Sequence, residues 1–396
     1  MRSELETAGV LDHRGRTRVL IVRHGQSTFN VQQRYQGRSD EPVLTESGIA
    51  AAVQTGRRLA TERVDGLISS PLRRALHTAD IIRATLRPGG QDQLFLNTSD
   101  DLTEIHLPEW EGVALETIRQ QFPKSHRLWS DQPHKFRMTG TGRSTFFPVR
   151  ELFEQANRFW GEFLPHHAGQ TAVLVTHAGT ARALISTAVG LKPERFQSFQ
   201  QSNCGISILE FPAGSTTALI EALNLTAHLG ERLPKLKMGR RGTRMVMIAA
   251  DTPPMQSADH VSGILNGLPV DFVLSADDPQ SKKVAHALSA SHPSAHLSIF
   301  PGTVLFNRQR PEPLPLTDRI AWPQHSLSTG VLVGQSSELG AMLSAVLRMD
   351  GRRSPWKHST NAVLHYSATG TMPVIQTLNM PVWQDTLDPD GAEVRS

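Results

Sequence analysis

Four apolar segments recur in the same order in the two halves of this chain. RVLIVRHGQST from Arg18 is matched by RMVMIAADTPP from Arg244, and VDGLIS from Val64 by VDFVLS from Val270. AVLVTHAGTARALISTAV from Ala172 is matched by GVLVGQSSELGAMLSAVL from Gly330, and LIEALN ending at Asn224 by VIQTLN ending at Asn379. The separations fall steadily, from 226 residues for the first pair to 206, 158 and 155, so the second copy keeps the element order and loses loops. One such match would mean little, because strand segments look alike. Four collinear matches constrain the chain to two copies of one fold.

Within the first copy, strand and helix patterns alternate. The four apolar residues Val19 to Val22 read as a strand covered on both faces, and Gly25 as the turn that ends it. ESGIAAAVQTGRRLATE is helical, with Ile49, Ala52, Val53, Gly56 and Leu59 on one apolar face. VDGLISS is a strand, and PLRRALHTADIIRATL a helix with Pro71 near its start. ELFEQANRFWGEFL presents Leu152, Phe153, Ala156, Phe159, Trp160 and Phe163 as a packing stripe; TAVLVTHAG is a strand and loop, and TARALISTAVGL a further helix. This alternation predicts an α/β chain of two tandem three-layer α/β/α domains with mostly parallel sheets. Phe122 to Pro148 breaks the rhythm and reads as an irregular insertion; the Pro, Gly and basic run before Thr243 reads as a linker. The expected organisation is a polar extension over 1–17, a motif-bearing domain over 18–230, a linker over 231–243 and a second domain over 244–396.

Composition excludes several classes. With 38% hydrophobic and 20% charged residues the chain reads as globular, and no apolar run approaches the roughly 20 residues of a membrane-spanning helix. Its first residues carry Glu4, Glu6 and Asp12 among arginines and lack an apolar stretch, so they read as a solvated extension and not as a signal peptide. A single cysteine, Cys204, leaves no internal disulfide framework or multi-cysteine zinc site and fits a reducing, cytoplasmic setting. The net charge of +4 is spread thinly, so neither nucleic acid nor membrane is an expected partner.

Four polar signals fall at loop positions of the first copy: RHGQSTFN at Arg23 to Asn30, SSPLRRALHT at Ser69 to Thr78, DLTEIHLPEWEG at Asp101 to Gly112, and VTHAGT at Val175 to Thr180. Each alone has an ordinary reading: Arg23 in a sheet-edge salt bridge, Arg74 an exposed helix charge, Glu104 a solvated carboxylate, His177 a satisfied strand-end histidine. Together, in a parallel sheet, they fall where ligands bind, in the crevice outside the strands' carboxyl ends. The second copy has Ala249 and Ala250 opposite Arg23 and His24, and Gln335 opposite His177, so it reads as a degenerate copy without catalytic equipment.

These motifs resemble the histidine phosphatase superfamily, which includes the phosphoglycerate mutases. The resemblance runs from Thr17 to Leu225 through RHGxSxxN, QGRSDEPVLTESG, SPLxRAxxTA, LxE followed by WEG, and VTHAGxxRALI. It is nearer to two-domain members of photosynthetic organisms, including 2-carboxy-D-arabinitol 1-phosphate phosphatases. The fold implied is phosphoglycerate mutase-like. The implied catalytic set is His24 as nucleophile, Arg23, Arg74 and His177 on the phosphate oxygens, and Glu104 as proton donor and then base. Gly25, Ser27, Asn30, Gln36, Gly37 and Ala178 would line the phosphate and substrate side. The residue types suit that chemistry. A phosphomonoester repels nucleophiles, arginine forks neutralise its equatorial oxygens, and an imidazole can carry the phosphoryl group between two displacements. Anionic phosphate beside Glu104 disfavours its ionisation, the direction a general acid needs. No metal or cofactor is called for, and the pair His166 and His167, beside AGQ in a loop, reads as solvated.

The function expected is hydrolysis of a small phosphorylated sugar or sugar acid, so the partner is a small phosphorylated metabolite, with a homodimer left open. One alternative is a phosphoglycerate mutase, although the ERHYGxLQGLNK-like basic and aromatic set of mutases is absent after Glu104, where Ile105, His106, Leu107 and Pro108 stand. Another is a non-catalytic binding or regulatory protein. The insertion's Lys124, His126, Arg127, His134, Lys135, Arg137 and Arg143 are either solvated or available to a second anionic group of the substrate.

Overall fold

The computed structural model describes residues 15–86, 94–140, 142, 144–231, 233–236, 241–251, 265, 267–301, 326–349, 356, 361–367 and 373–379. Most of the expected extension, Arg143 of the insertion and residues 232 and 237–240 of the expected linker lie outside these. The chain divides into two compact units. The first comprises Met1–Gln197, Gln201–Glu221 and Thr226–Arg232, the second Ser198–Gln200, Ala222–Leu225 and Leu233–Ser396.

The first unit is built from the strands β1 (Thr17–Arg23), β2 (Gly66–Ser69), β3 (Leu96–Thr98), β4 (Met138–Thr139), β5 (Thr145–Phe146), β6 (Thr171–Thr176), β7 (Ile206–Phe211) and the beginning of β8 (Leu219–Leu225), whose residues Ala222–Leu225 belong to the second unit. Its helices are α1 (Thr28–Val31), α2 (Glu46–Leu59), α3 (Arg73–Leu86), α4 (Leu115–Gln121), α5 (Pro123–Asp131), α6 (Pro148–His166) and α7 (Ala178–Ala188). The main sheet runs β8-β7-β1-β6-β2-β3, parallel from β1 to β3 and antiparallel between β1 and β7. Val19 to Val22 are at most 1% exposed, because β1 is central and covered on both faces. A strand in that position tolerates no alternation, which is why its apolar run is continuous. Its carboxyl end, Arg23, lies beside Thr176 at the end of β6, so the two His-bearing turns open on the same edge.

Three local expectations are corrected. The buried face of α2 is Gly48, Ala52, Thr55, Gly56 and Leu59, while Ile49 is 38% exposed and Val53 half-buried. Close approach, not hydrophobicity, selects that face: a Cβ on Gly56 would stand 2.6 Å from Thr85 of α3, and one on Gly25 the same distance from Gly48 O. The described residues of the insertion contain regular elements: α5, a 3₁₀ turn at Pro133–Lys135 and the antiparallel pair β4 and β5. Its prolines, read as breakers, occupy first-turn positions, where the missing N–H costs nothing. Lastly, His166 ends α6 and His167 caps it, with the His167 ring stacked on Phe163 at 4.3 Å, so this pair belongs to a helix end and not to a loop. Among the described residues no helix is long and apolar enough to cross a membrane.

The second unit contains β9 (Gly242–Ala249), β10 (Phe272–Ala276), β11 (His296–Phe300), β12 (Leu327–Gly334), β13 (Ala362–Tyr366) and β14 (Val374–Leu378), with α8 (Pro279–Ser291) and α9 (Ser336–Val346). Its strand order, β14-β13-β9-β12-β10-β11, with the same parallel and antiparallel pairings, repeats that of the first unit. The repetition extends to single hydrogen bonds. Asp65 donates its N–H to Thr171 O (2.8 Å) and accepts from Thr171 N (2.9 Å); Asp271 does the same with Thr329 at 2.8 and 2.7 Å. His24 N to Thr176 O at 2.8 Å is repeated by Ala250 N to Gly334 O at 2.9 Å. Asn224 and Asn379 both have left-handed backbone, φ 49° and 52°. Val246, Ile248, Val273, Val331 and Val333 form the centre of the second core.

Candidate active site

His24 follows β1 directly and is 1% exposed. Its Nδ1 lies 2.7 Å from Gly25 O, and a carbonyl only accepts, so Nδ1 carries the hydrogen and the lone pair of the neutral ring is on Nε2. The ring packs against His177 with centroids 5.1 Å apart. His177, at the N-cap of α7, is fully buried and has Nε2 2.8 Å from Ser70 Oγ. Ser70 Oγ also accepts from Leu72 N (3.3 Å); when its own hydrogen is on His177 Nε2, the neutral His177 ring carries its proton on Nδ1.

Two arginines flank the imidazoles. Arg23 is 7% exposed and donates from Nη1 to Gln201 O (2.9 Å); Arg74 is fully buried in the first turn of α3 and donates to Ser39 O (2.7 Å) and Gly37 O (2.9 Å). Burial pushes both guanidinium pKa values down to about 10, with Arg182 and Arg74 adding to the effect on Arg23, and Glu104 opposing it in both. Both therefore stay charged at neutral pH. Burial, then the charges of Arg74, His24 and Arg23, holds His177 well below the usual histidine range, so it stays neutral. Among the described residues, Arg23 Nε, Arg74 Nε and His177 Nδ1 are buried nitrogens without a hydrogen-bond partner. Such a set is matched to an anion with several oxygens.

Glu104 meets the amino end of α7. Its Oε1 accepts from Ile105 N (2.9 Å) and Thr180 N (3.1 Å), and its Oε2 from Gly179 N (3.2 Å), which fixes the carboxyl beside His177. Ser27, Asn30 and Gln36 interlock: the one Ser27 hydroxyl hydrogen goes to the nearer Gln36 Oε1 (2.8 Å), Ser27 Oγ accepts from Asn30 N (3.3 Å), and Ser27 N donates to Asn30 Oδ1 (3.1 Å). Gly25 donates its N–H to Thr78 Oγ1 (3.0 Å). Gly37, with φ +49° and Glu111 pressed against the place of its absent Cβ, turns its carbonyl to Arg74. Ala178 opens α7 directly after His177.

The histidine phosphatase superfamily (branch 1) matches residues 19–224, just over half of the chain. The chain belongs to the histidine phosphatase superfamily. It is 35% identical over 215 residues to a probable 2-carboxy-D-arabinitol-1-phosphatase of Arabidopsis thaliana, covering 53% of this chain and 42% of that protein. It is 30% identical over 260 residues to 2-carboxy-D-arabinitol-1-phosphatase of Triticum aestivum, covering 65% and 50%. The chain thus spans about half the length of these plant relatives or less. Against phosphoserine phosphatase 1 of Hydrogenobacter thermophilus the identity is 31% over 214 residues, 54% of this chain and 95% of that one.

Several residues supporting this candidate site gave no signal in the sequence. Asn203 Nδ2 donates to His24 O and to Asn30 Oδ1, both at 3.0 Å, and Gln201 supplies the carbonyl for Arg23. Cys204 donates its N–H to Arg23 O (2.9 Å) and sits at φ +57°, an unfavourable conformation for a buried non-glycine residue. Its carbonyl accepts from His228 Nε2 (3.1 Å), beside Thr55 Oγ1, whose hydrogen goes to Ala51 O (2.9 Å). A run of Gln, Ser and Asn before a strand reads only as a loop, and nothing local says that it meets Arg23.

Burial pushes the His228 pKa down to about 4, the bond to Cys204 O opposing and Arg58 adding to it. Between that value and the unfolded value near 6.5 the unfolded chain binds the proton and the native one does not, so stability is complete above about pH 6.5 and is lost as pH falls. At pH 5 this contributes about 2 kcal/mol of destabilisation. Urea unfolding at pH 7.5 and pH 5 should show the acid loss shrinking by about that amount in His228→Gln; an unchanged pH dependence would refute the assignment.

Proposed function

We propose that the first unit is a phosphomonoesterase that hydrolyses a small phosphorylated sugar or sugar acid through a phosphohistidine on His24. The observation that carries this reading is the set of three unpartnered buried nitrogens, on Arg23, Arg74 and His177, around a histidine whose lone pair is directed to Nε2. Arg23, Arg74 and the His177 N–H would hold the equatorial oxygens as their charge grows. Nε2 attacks phosphorus while the bond to the ester oxygen breaks and Glu104 gives that oxygen its proton. Glu104, now a carboxylate, takes a proton from water; the water oxygen attacks phosphorus, and the P–N electron pair returns to Nε2. The plant relatives are named for a phosphorylated sugar acid and the bacterial one for phosphoserine, so a small phosphate ester carrying a carboxylate is the substrate class favoured.

The second unit, on this reading, transfers no phosphoryl group. Ala249 and Ala250, both fully buried, occupy the positions of Arg23 and His24; Gln335 occupies that of His177, and Gln280, second residue of α8, that of Arg74.

The test is inorganic phosphate release from a panel of sugar phosphates, phosphoglycerates, phosphoserine and 2-carboxy-D-arabinitol 1-phosphate, with chelator present. Release from at least one carboxylate-bearing ester, unchanged by chelator, is the expected result. Conversion of 3-phosphoglycerate to its 2-isomer without phosphate release would make the protein a mutase, and no turnover of any ester would leave a binding protein.

A further inference from the structure

Gln155 is an amide in the middle of the apolar stripe of α6, between Leu152 and Phe159, and is 4% exposed. Burying an amide is costly unless its donors and acceptor are all used. Here they are. Nε2 donates to Asp101 O and Thr103 O, both at 2.9 Å, and Oε1 accepts from Arg38 Nη2 at 2.9 Å. Arg38 in turn donates from Nε to Glu104 O at 3.1 Å, and its own backbone N–H is held by Glu111 Oε1 at 2.7 Å. The carbonyls of residues 101, 103 and 104 are therefore all tied to one buried side chain, directly or through Arg38. The Glu104 carboxyl is anchored separately, by the first N–H groups of α7. The segment's backbone is also held from the β6 and α7 side, by Thr176 Oγ1 on Leu102 O (2.7 Å) and Thr180 Oγ1 on Thr103 O (2.6 Å), while the carbonyls of Asp101 and Glu104 are held by Gln155 and Arg38.

We propose that Gln155, acting through Arg38, is a positioning residue for Glu104: it holds the 101–104 segment where the Glu104 carboxyl can reach the leaving oxygen. The proposal rests on the reading of Glu104 as general acid. Proton transfer is sensitive to displacement on the scale of 1 Å. Arg23 and His177 are placed by the ends of β1 and β6, away from this tie, whereas Arg74 is held by the carbonyls of Gly37 and Ser39 on either side of Arg38, so Gln155→Leu is the variant that isolates Glu104.

The signature is a leaving-group effect. p-Nitrophenolate departs without a proton, and an alkoxide does not. Full-length Gln155→Leu should lose about 10-fold or more in kcat/KM on a primary alkyl phosphate and less than about 2-fold on p-nitrophenyl phosphate. Glu104→Gln should give the same selectivity with a larger loss, about 100-fold on the alkyl ester. Arg38→Met cuts the other end of the tie from an exposed position, and should reproduce the pattern even where Gln155→Leu folds poorly. Equal losses on both esters in both variants, or no loss in either, would overturn the positioning role and leave the phosphatase reading intact. Failure of the wild-type protein to release phosphate from these esters and from every carboxylate-bearing ester of the panel would overturn the reading beneath it.

Discussion

His24→Ala is expected to lower phosphate release by at least about 10⁴-fold while the first unit stays folded. The imidazole is the group that would form the covalent bond, and the Nδ1 contact to Gly25 O leaves Nε2 to do so. Without it, water must attack a phosphate whose charge is neutralised but whose nucleophile is not positioned, so only the part of catalysis due to binding remains. The backbone of residue 24 keeps its bonds to Thr176 O and Asn203 Nδ2, which do not involve the ring, so the loss is one of chemistry. Phosphate release and a thermal melt on the same sample check this. Activity within ten-fold of wild type would mean that water attacks directly.

Arg74→Met is expected to cost about 10³-fold in kcat/KM, the scale of losing one preorganised donor to developing charge. Lysine should not restore it. One ammonium on a flexible stem cannot hold the carbonyls of Gly37 and Ser39 and still present a planar fork to phosphate. Stability should change little. The two lost bonds to carbonyls are offset by removal of a buried cation whose charge burial opposes and whose field acts on His177. Activity and melting temperature measured together test this; a large loss of stability with activity retained would make Arg74 a structural residue.

What the sequence disclosed depended on how local the signal was. Val19 to Val22 followed by Arg23, His24 and Gly25 announces a central strand delivering polar groups at its carboxyl end, and β1 has that place. The repeated order of elements along the chain was legible because the copies kept their apolar runs while losing loops; the order of strands within each sheet was not. Ile49 was misplaced because hydrophobicity alone chose the helix face, while glycines at Gly48 and Gly56 permit the close contacts that decide it. Pro123, Pro133 and Pro148 suggested irregularity, yet each begins a helical turn. Gln155 was invisible, since a lone amide in an apolar stripe has no pattern of its own. Gln201 and Asn203 meet Arg23 and His24 across nearly 180 residues, a closure no local rule records.

The phosphohistidine is tested by quenching the protein within its first turnovers of a substrate ester and locating the phosphoryl group by mass spectrometry and ³¹P NMR. Phosphate is expected on His24, on Nε2, labile in acid, stable in base and lost on further incubation in water. Rapid turnover with no phosphorylated residue at any time, or phosphate on another side chain, would contradict it.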